Sequence, residues 1–267
     1  MLTRIVSGVI GAALALVLLF FGGTVGMTIA AAVLAALAVF ELLRAAGFGW
    51  RYRLPAMLLG AAPLLLFWQP WAPVMLVAVY GLYVMIVSVA RHEELPPERA
   101  GMLLLLPAVA VGGFTALAAL RGWSADGLFY IFLSLVIPWL SDTGAYFTGV
   151  CFGKHKLCPV ISPKKTVEGL VGGIVTSIGA SALTGWLYTL WCGHPVSLQW
   201  CSLLLVAARG APLSVIGDLF ASVVKRRFGV KDYGKLMPGH GGVMDRFDSV
   251  LPVAVLLLLW ISVCPIL

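Results

Sequence analysis

The sequence predicts an all-α protein that threads a membrane many times, and three observations carry that prediction. Of its 267 residues, 61% are hydrophobic and only 11% are charged. The mean hydropathy of +1.03 lies far above that of an ordinary soluble domain. Apolar residues arrive in blocks of about 17 to 22, the length that carries a helix across a hydrocarbon core of about 30 Å. Runs such as residues 12–21 and 253–260 lack the apolar and polar alternation of a membrane barrel strand, so the spans are helical.

The blocks place nine spans, at about residues 5–21, 25–45, 54–69, 71–90, 101–120, 127–150, 169–191, 202–224 and 248–266. Residues 1–120 hold the first five spans, and residues 121–267 hold the last four with polar loops at 151–168 and 225–247. The first block follows Arg4 as a secretion signal would, but span after span follows it and no small-x-small site separates it from the next. Connectors such as 68–73 and 193–200 gather Pro, Gly and Trp, as interfacial loops do. The five cysteines are odd in number and scattered, which argues against a disulfide framework. Cys151, His155 and Cys158 suggest a zinc site, but no second cysteine pair stands at metal-ligand spacing, which favours chance proximity in a loop.

The cations orient the chain. Sixteen of the 18 lysines and arginines fall on one side of the nine-span arrangement; Arg121, in an opposite connector, and Arg209, inside the eighth span, are the others. Lys and Arg beside membrane spans are retained in the cytoplasm. The amino terminus, the loops after even-numbered spans and the chemistry are therefore expected on the cytoplasmic face of a bacterial-type inner membrane, with the carboxyl terminus outside.

Charges within a bilayer are costly and point to function. Asp142, Asp218 and Arg209 stand out. Asp142 lies about 12 Å inside the cytoplasmic end of its span and Asp218 about 9 Å inside the end of its own, at about 1.5 Å per residue. Two carboxylates at similar depth can meet in one cavity open to the cytoplasm. The plain alternative is a polar helix contact, or a pairing of either acid with Arg209.

The longest polar segment begins where the eighth span ends. It carries Asp218, Ser222, Lys225, Arg226, Arg227, Lys231 and Asp232, then Pro238-Gly239-His240-Gly241-Gly242, then Asp245, Arg246 and Asp248. Lys and Arg neutralise phosphate oxygens. Glycines let backbone N–H groups approach an anion. Carboxylates supply the hard oxygen ligands that Mg2+ prefers, and Asp245 and Asp248, three positions apart, share a helix face. Each part alone has a bland reading: a positive-inside anchor, a tight turn, or favourable charge at a helix start. Together within about thirty residues they point to a polyphosphate site. A second polar segment, Ser162-Pro163-Lys164-Lys165-Thr166-Val167-Glu168, follows the span that carries Asp142 and is expected to face the same cavity. Its lysines and hydroxyls suit phosphate, and Glu168 suits a metal or a lysine.

These residues resemble a known family. Ser222, Val224, Lys225, Arg226, Lys231, Asp232 and Gly234, followed by Pro238-Gly239-His240-Gly241-Gly242 and Asp245-Arg246-x-Asp248, are similar without a gap to the signature of the phosphatidate cytidylyltransferases, or CDP-diacylglycerol synthases. Ser141-Asp142-Thr143 and Ser162 to Gly169 resemble that family's other polar stretches. The likeness in motifs covers the carboxyl-terminal half; the first five spans share only hydrophobicity. The resemblance implies a multi-span fold with a divalent-metal site, expected to hold Mg2+ in a two-metal arrangement with another cation as the alternative, and the reaction of CTP with phosphatidic acid to give CDP-diacylglycerol and pyrophosphate.

On that resemblance Asp218 and Asp245 are the leading metal ligands, with Asp142, Asp248 and Glu168 in support. Asp218, Asp245, Lys225, Arg246 and His240 form the expected catalytic set. Ser162, Lys164, Lys165, Thr166, Ser222, Arg226, Lys231, Asp232, Gly241 and Gly242 are expected to bind substrate. The partners implied are CTP, phosphatidic acid and membrane lipids; no nucleic-acid partner is implied, and a homodimer is compatible with the small-residue motifs of the spans. Two rival functions use similar groups: a CTP-dependent polyprenol kinase and a transporter for anionic substrates. A transporter is expected to show inverted repeats and broken helices; Gly144, Gly172 and Gly173 leave room for such breaks.

Overall fold

In a computed structural model, residues 13, 15–234 and 241–267 are described, and most of them are helical. The first helix with fixed bounds, α1 (Gly23–Ala45), is followed by α2 (Trp50–Met57), a 3-10 turn (Leu58–Ala61), α3 (Ala62–Leu65), α4 (Ala72–Ala90), α5 (Pro97–Gly122) and α6 (Gly127–Phe152). A short hairpin, β1 (Lys156–Cys158) and β2 (Ser162–Thr166), leads into α7 (Val167–Trp191) and α8 (Trp200–Arg227), and the chain ends with α9 (Met244–Phe247) and α10 (Val250–Ile261).

Six of these helices, α1 and α4 to α8, are long and apolar enough to cross a membrane. The chain is a multi-pass membrane protein. Three of the nine expected spans are not among the six. The first falls largely outside the described residues. The third is interrupted: Pro55 lies inside α2, Pro63 stands at the start of α3, and a 3-10 turn joins the two. Proline removes an N–H and crowds the preceding turn, so a stretch apolar enough to span need not form one straight helix. The ninth is a 12-residue helix, about 18 Å long at the usual rise. The loop expected at 151–168 also contains the hairpin, with Lys156 opposite Thr166 and Cys158 opposite Ser162.

The chain forms two compact units. One takes the described residues of Met1–Gly122 with Lys225–Phe247, and the other takes Trp123–Val224 with Asp248–Leu267. In the first unit α1 and α5 supply the core, with Ala35, Ala38, Val39 and Leu43 on α1 and Leu103, Ala110 and Phe114 on α5 buried. Gly60 lets the 3-10 turn lie against α1, since a Cβ there would be 2.6 Å from the Ala36 methyl. Phe247, at the end of the polar segment, stacks on Phe114 with ring centroids 5.1 Å apart.

In the second unit α6 and α7 approach closely through small residues. A Cβ on Gly173 would meet the Ser141 carbonyl oxygen at 2.7 Å, one on Gly169 would meet the Ala145 carbonyl oxygen at 2.8 Å, and one on Gly172 would collide with the Thr148 side chain. Small residues at such contacts let membrane helices gain dispersion energy where lipid offers no hydrophobic drive. Gly144, Gly172 and Gly173 therefore serve close packing, and α6 and α7 run unbroken through them. The consequence is positional: the α6 segment bearing Asp142 is held against α7, whose start is continuous with the strand bearing Lys165.

Candidate active site

The second unit assembles the first charged centre. Lys165, near the end of β2, points its Nζ at Asp218 Oδ2 on α8 across 2.6 Å. Asp142, on α6, interacts electrostatically with both of them. Three elements thus bring two acids around one ammonium. Thr166 beside Lys165 is buried, and its hydroxyl accepts the Gly169 N–H at 3.1 Å, which caps α7. Glu168 accepts the backbone N–H groups of Lys154 and His155, at 3.1 and 3.2 Å, and sits 2.6 Å from His155 Nδ1. Its carboxylate is taken up in holding the turn between α6 and β1. Ser162 is partly covered and Lys164 exposed. Asp248 is buried, and its carbonyl oxygen lies so close to α8 that a Cβ on Gly217 would strike it.

The first unit assembles a second centre from the polar segment. Asp245 Oδ2 accepts the N–H groups of Tyr233 at 2.8 Å and Gly242 at 3.0 Å. Its Oδ1 accepts from Lys225 Nζ at 3.1 Å. Gly241 lies in the left-handed region with φ of +88°, and a Cβ on it would come within 2.9 Å of Asp245 Oδ2. Only a glycine there gives both the backbone turn and the room. The Lys225 ammonium also lies 5.4 Å from the centroid of the Tyr233 ring. Arg226, Lys231, Asp232 and Arg246 are exposed and Ser222 is partly covered. His240 lies outside the described residues. Asp218 and Lys225 both belong to α8.

Three residues of this second centre escaped the sequence reading. Glu41 on α1 is 5% exposed and accepts the Met244 N–H at 3.1 Å. Arg44, one turn later, donates to the Tyr233 carbonyl at 2.8 Å. Tyr233 itself is buried. Glu41 had a signal: an acid inside an expected span meets the same criterion that singled out Asp142 and Asp218.

In each centre a carboxylate on a helix faces a lysine ammonium. Among the described residues no group of three or more His, Cys, Asp or Glu side chains draws together. Mg2+ commonly takes one or two carboxylates and completes its shell with water and substrate phosphates, so the donor set fits.

The Cytidylyltransferase family matches residues 2–264. The chain belongs to that family. Among its relatives, the phosphatidate cytidylyltransferase of Bacillus subtilis strain 168 is 34% identical over 262 residues, 93% of each chain. That of Staphylococcus saprophyticus is 45% identical over 140 residues, 51% of this chain and 52% of the relative. That of Staphylococcus epidermidis is 46% identical over 138 residues, 51% of each. The matched stretch spans about half the length of these staphylococcal relatives. The two carboxylate and lysine pairs draw their residues from β2, from α8 and from the segment that follows α8.

Proposed function

We propose that this chain is a phosphatidate cytidylyltransferase, which joins the cytidylyl group of CTP to phosphatidic acid, forms CDP-diacylglycerol and releases pyrophosphate. The observation that carries this reading is the nearly full-length likeness to the Bacillus subtilis protein. The two carboxylate and lysine centres supply the chemistry that such a reaction asks for.

A phosphate monoester has a second pKa of about 6, so the phosphatidic acid oxygen is already anionic near neutral pH and needs no strong base. That oxygen attacks the α-phosphorus of CTP, the bond between the α- and β-phosphates breaks, and pyrophosphate leaves. The task of the protein is to hold the reacting groups in line and to neutralise charge. Lys165, held by Asp218 in the more open pair, can pass from carboxylate to phosphate, and Lys225, held on the enclosed Asp245, presents its charge where it stands. Arg226, Lys231 and Arg246, exposed around the polar segment, receive the outer phosphates. Asp218, supported by Asp142 and Asp248, would hold Mg2+ in one unit and Asp245 would do so in the other, and the ion would supply charge neutralisation on the phosphate oxygens.

The polar segments sit, in this proposal, on the cytoplasmic side of the inner membrane, with nine crossings, the amino terminus inside and the carboxyl terminus outside. The one-sided placement of the cations supports that orientation. CTP then arrives from water while the lipid phosphate is presented at the interface. The test is incubation of the purified chain with phosphatidic acid and labelled CTP. Label is expected in a CDP-lipid with release of pyrophosphate, and chelator is expected to stop both. Transfer of only the γ-phosphoryl group, or no covalent product, would overturn the reading.

A further inference from the structure

We infer that Glu41 and Arg44 on α1 form a clamp that positions Asp245, so that a helix from the hydrophobic amino-terminal part of the chain is a working component of the site. The inference rests on the proposed reaction for its purpose and on the first unit's geometry for its mechanism. Glu41 and Arg44 are three positions apart, and residues so spaced share a helix face. The Glu41 carboxylate accepts from the Met244 N–H at 3.1 Å and also from the Val243 N–H. The Arg44 guanidinium donates to the Tyr233 carbonyl at 2.8 Å. The two side chains therefore hold the backbone at Tyr233 and at Met244, and the Tyr233 and Gly242 N–H groups both bond Asp245 Oδ2.

The fit around Glu41 is tight. A Cβ on Gly234 or on Gly242 would collide with the Glu41 carboxylate, so both glycines are needed for the backbone to reach it. Glu41 is 5% exposed, and burying a carboxylate is costly unless hydrogen bonds hold it. An acid facing two backbone N–H groups fixes the direction of the backbone that precedes Asp245, as an outer group orients a ligating one. Glu41 is thus a positioning residue acting through Asp245.

The test uses the full chain in micelles and reads amide hydrogen exchange beside turnover. In Glu41→Ala the amides of Tyr233, Gly242 and Met244 are expected to exchange at least about tenfold faster while those of α5 are unchanged. Turnover is expected to fall about 10- to 100-fold, with a higher Mg2+ concentration needed for half-maximal rate. Glu41→Gln keeps one acceptor oxygen and is expected to fall between Ala and the parent. Should the Ala variant fail to fold, Glu41→Asp, which withdraws the carboxylate by one methylene, carries the same expectation. Unchanged exchange at Tyr233 and Gly242, or parental turnover in a folded Ala or Asp variant, would overturn the clamp. An inert parent would remove the proposed reaction, and the exchange pattern would still decide the clamp.

Discussion

The pair Lys165 and Asp218 and the pair Lys225 and Asp245 use the same chemistry but are built differently. In the first, the side chains are 23% and 34% exposed. In the second they are 17% and 4% exposed. Asp218 meets an ammonium delivered by a hairpin strand, in the field of a second acid, Asp142. Asp245 is fixed by two backbone N–H groups and a lysine, and α1 secures the segment around it. In the proposed reaction the more open pair is the one to rearrange when substrate brings new charge, whereas the enclosed pair is assembled beforehand. Preorganised charge costs no reorganisation at the moment of reaction, and adaptable charge is what an incoming phosphate can recruit.

The largest expected effects test whether both pairs are needed. Asp218→Asn and Asp245→Asn are each expected to lower turnover by about 10³-fold, measured as labelled CDP-lipid formed per mole of folded protein. Their stabilities should diverge. Asp245→Asn leaves the Lys225 charge without its enclosed partner and is expected to cost about 3 kcal/mol in micelle unfolding experiments. Asp218→Asn disturbs an open pair and is expected to cost less than about 1 kcal/mol. Equal stability losses would erase the distinction, and parental turnover in either variant would remove that acid from the site.

A smaller effect sharpens the account of the enclosed centre. Gly241→Ala forces a side chain into the left-handed region at φ of +88°, at a cost of about 1 to 2 kcal/mol. The added methyl also crowds Asp245, so turnover is expected to fall further than stability alone accounts for. An activity loss that disappears when rates are corrected for the folded fraction would make the glycine a matter of backbone freedom only.

What could be read from the sequence follows the range of each interaction. The helical class follows from block length, and the six long helices keep the expected positions to within a few residues. The members of the enclosed pair stood out separately, Lys225 as a phosphate ligand and Asp245 as a metal ligand, in one segment rich in Lys, Gly and Asp; that they bond each other was not legible there. The open pair joins residues 165 and 218, and Asp142 and Asp218 could be matched only by depth; no spacing announces which lysine stands with them. The hairpin was invisible because β1 is three residues long and β2 contains Pro163, which spoils a strand pattern. The interruption at residues 50–65 was legible in Pro55 and Pro63, but the count of apolar residues overrode it. Glu41 was passed over because it stands alone in an apolar block, and its partners lie about two hundred positions away.

The smallest effect concerns Thr166, where binding and architecture make opposite forecasts. Read as a phosphate ligand, its hydroxyl would set the KM for CTP. In the fold that hydroxyl accepts the Gly169 N–H, and the residue is 6% exposed, which makes it the cap of α7. Thr166→Ala is then expected to lower stability by about 1 kcal/mol, and Thr166→Ser to restore most of it, because serine caps as well as threonine. The KM for CTP is expected to stay the same in both, while turnover falls modestly in the alanine variant as the start of α7 loosens beside Lys165. A raised KM in the alanine variant with unchanged stability would instead make the hydroxyl a substrate ligand, and would place the neighbouring lysine's strand in direct contact with the nucleotide.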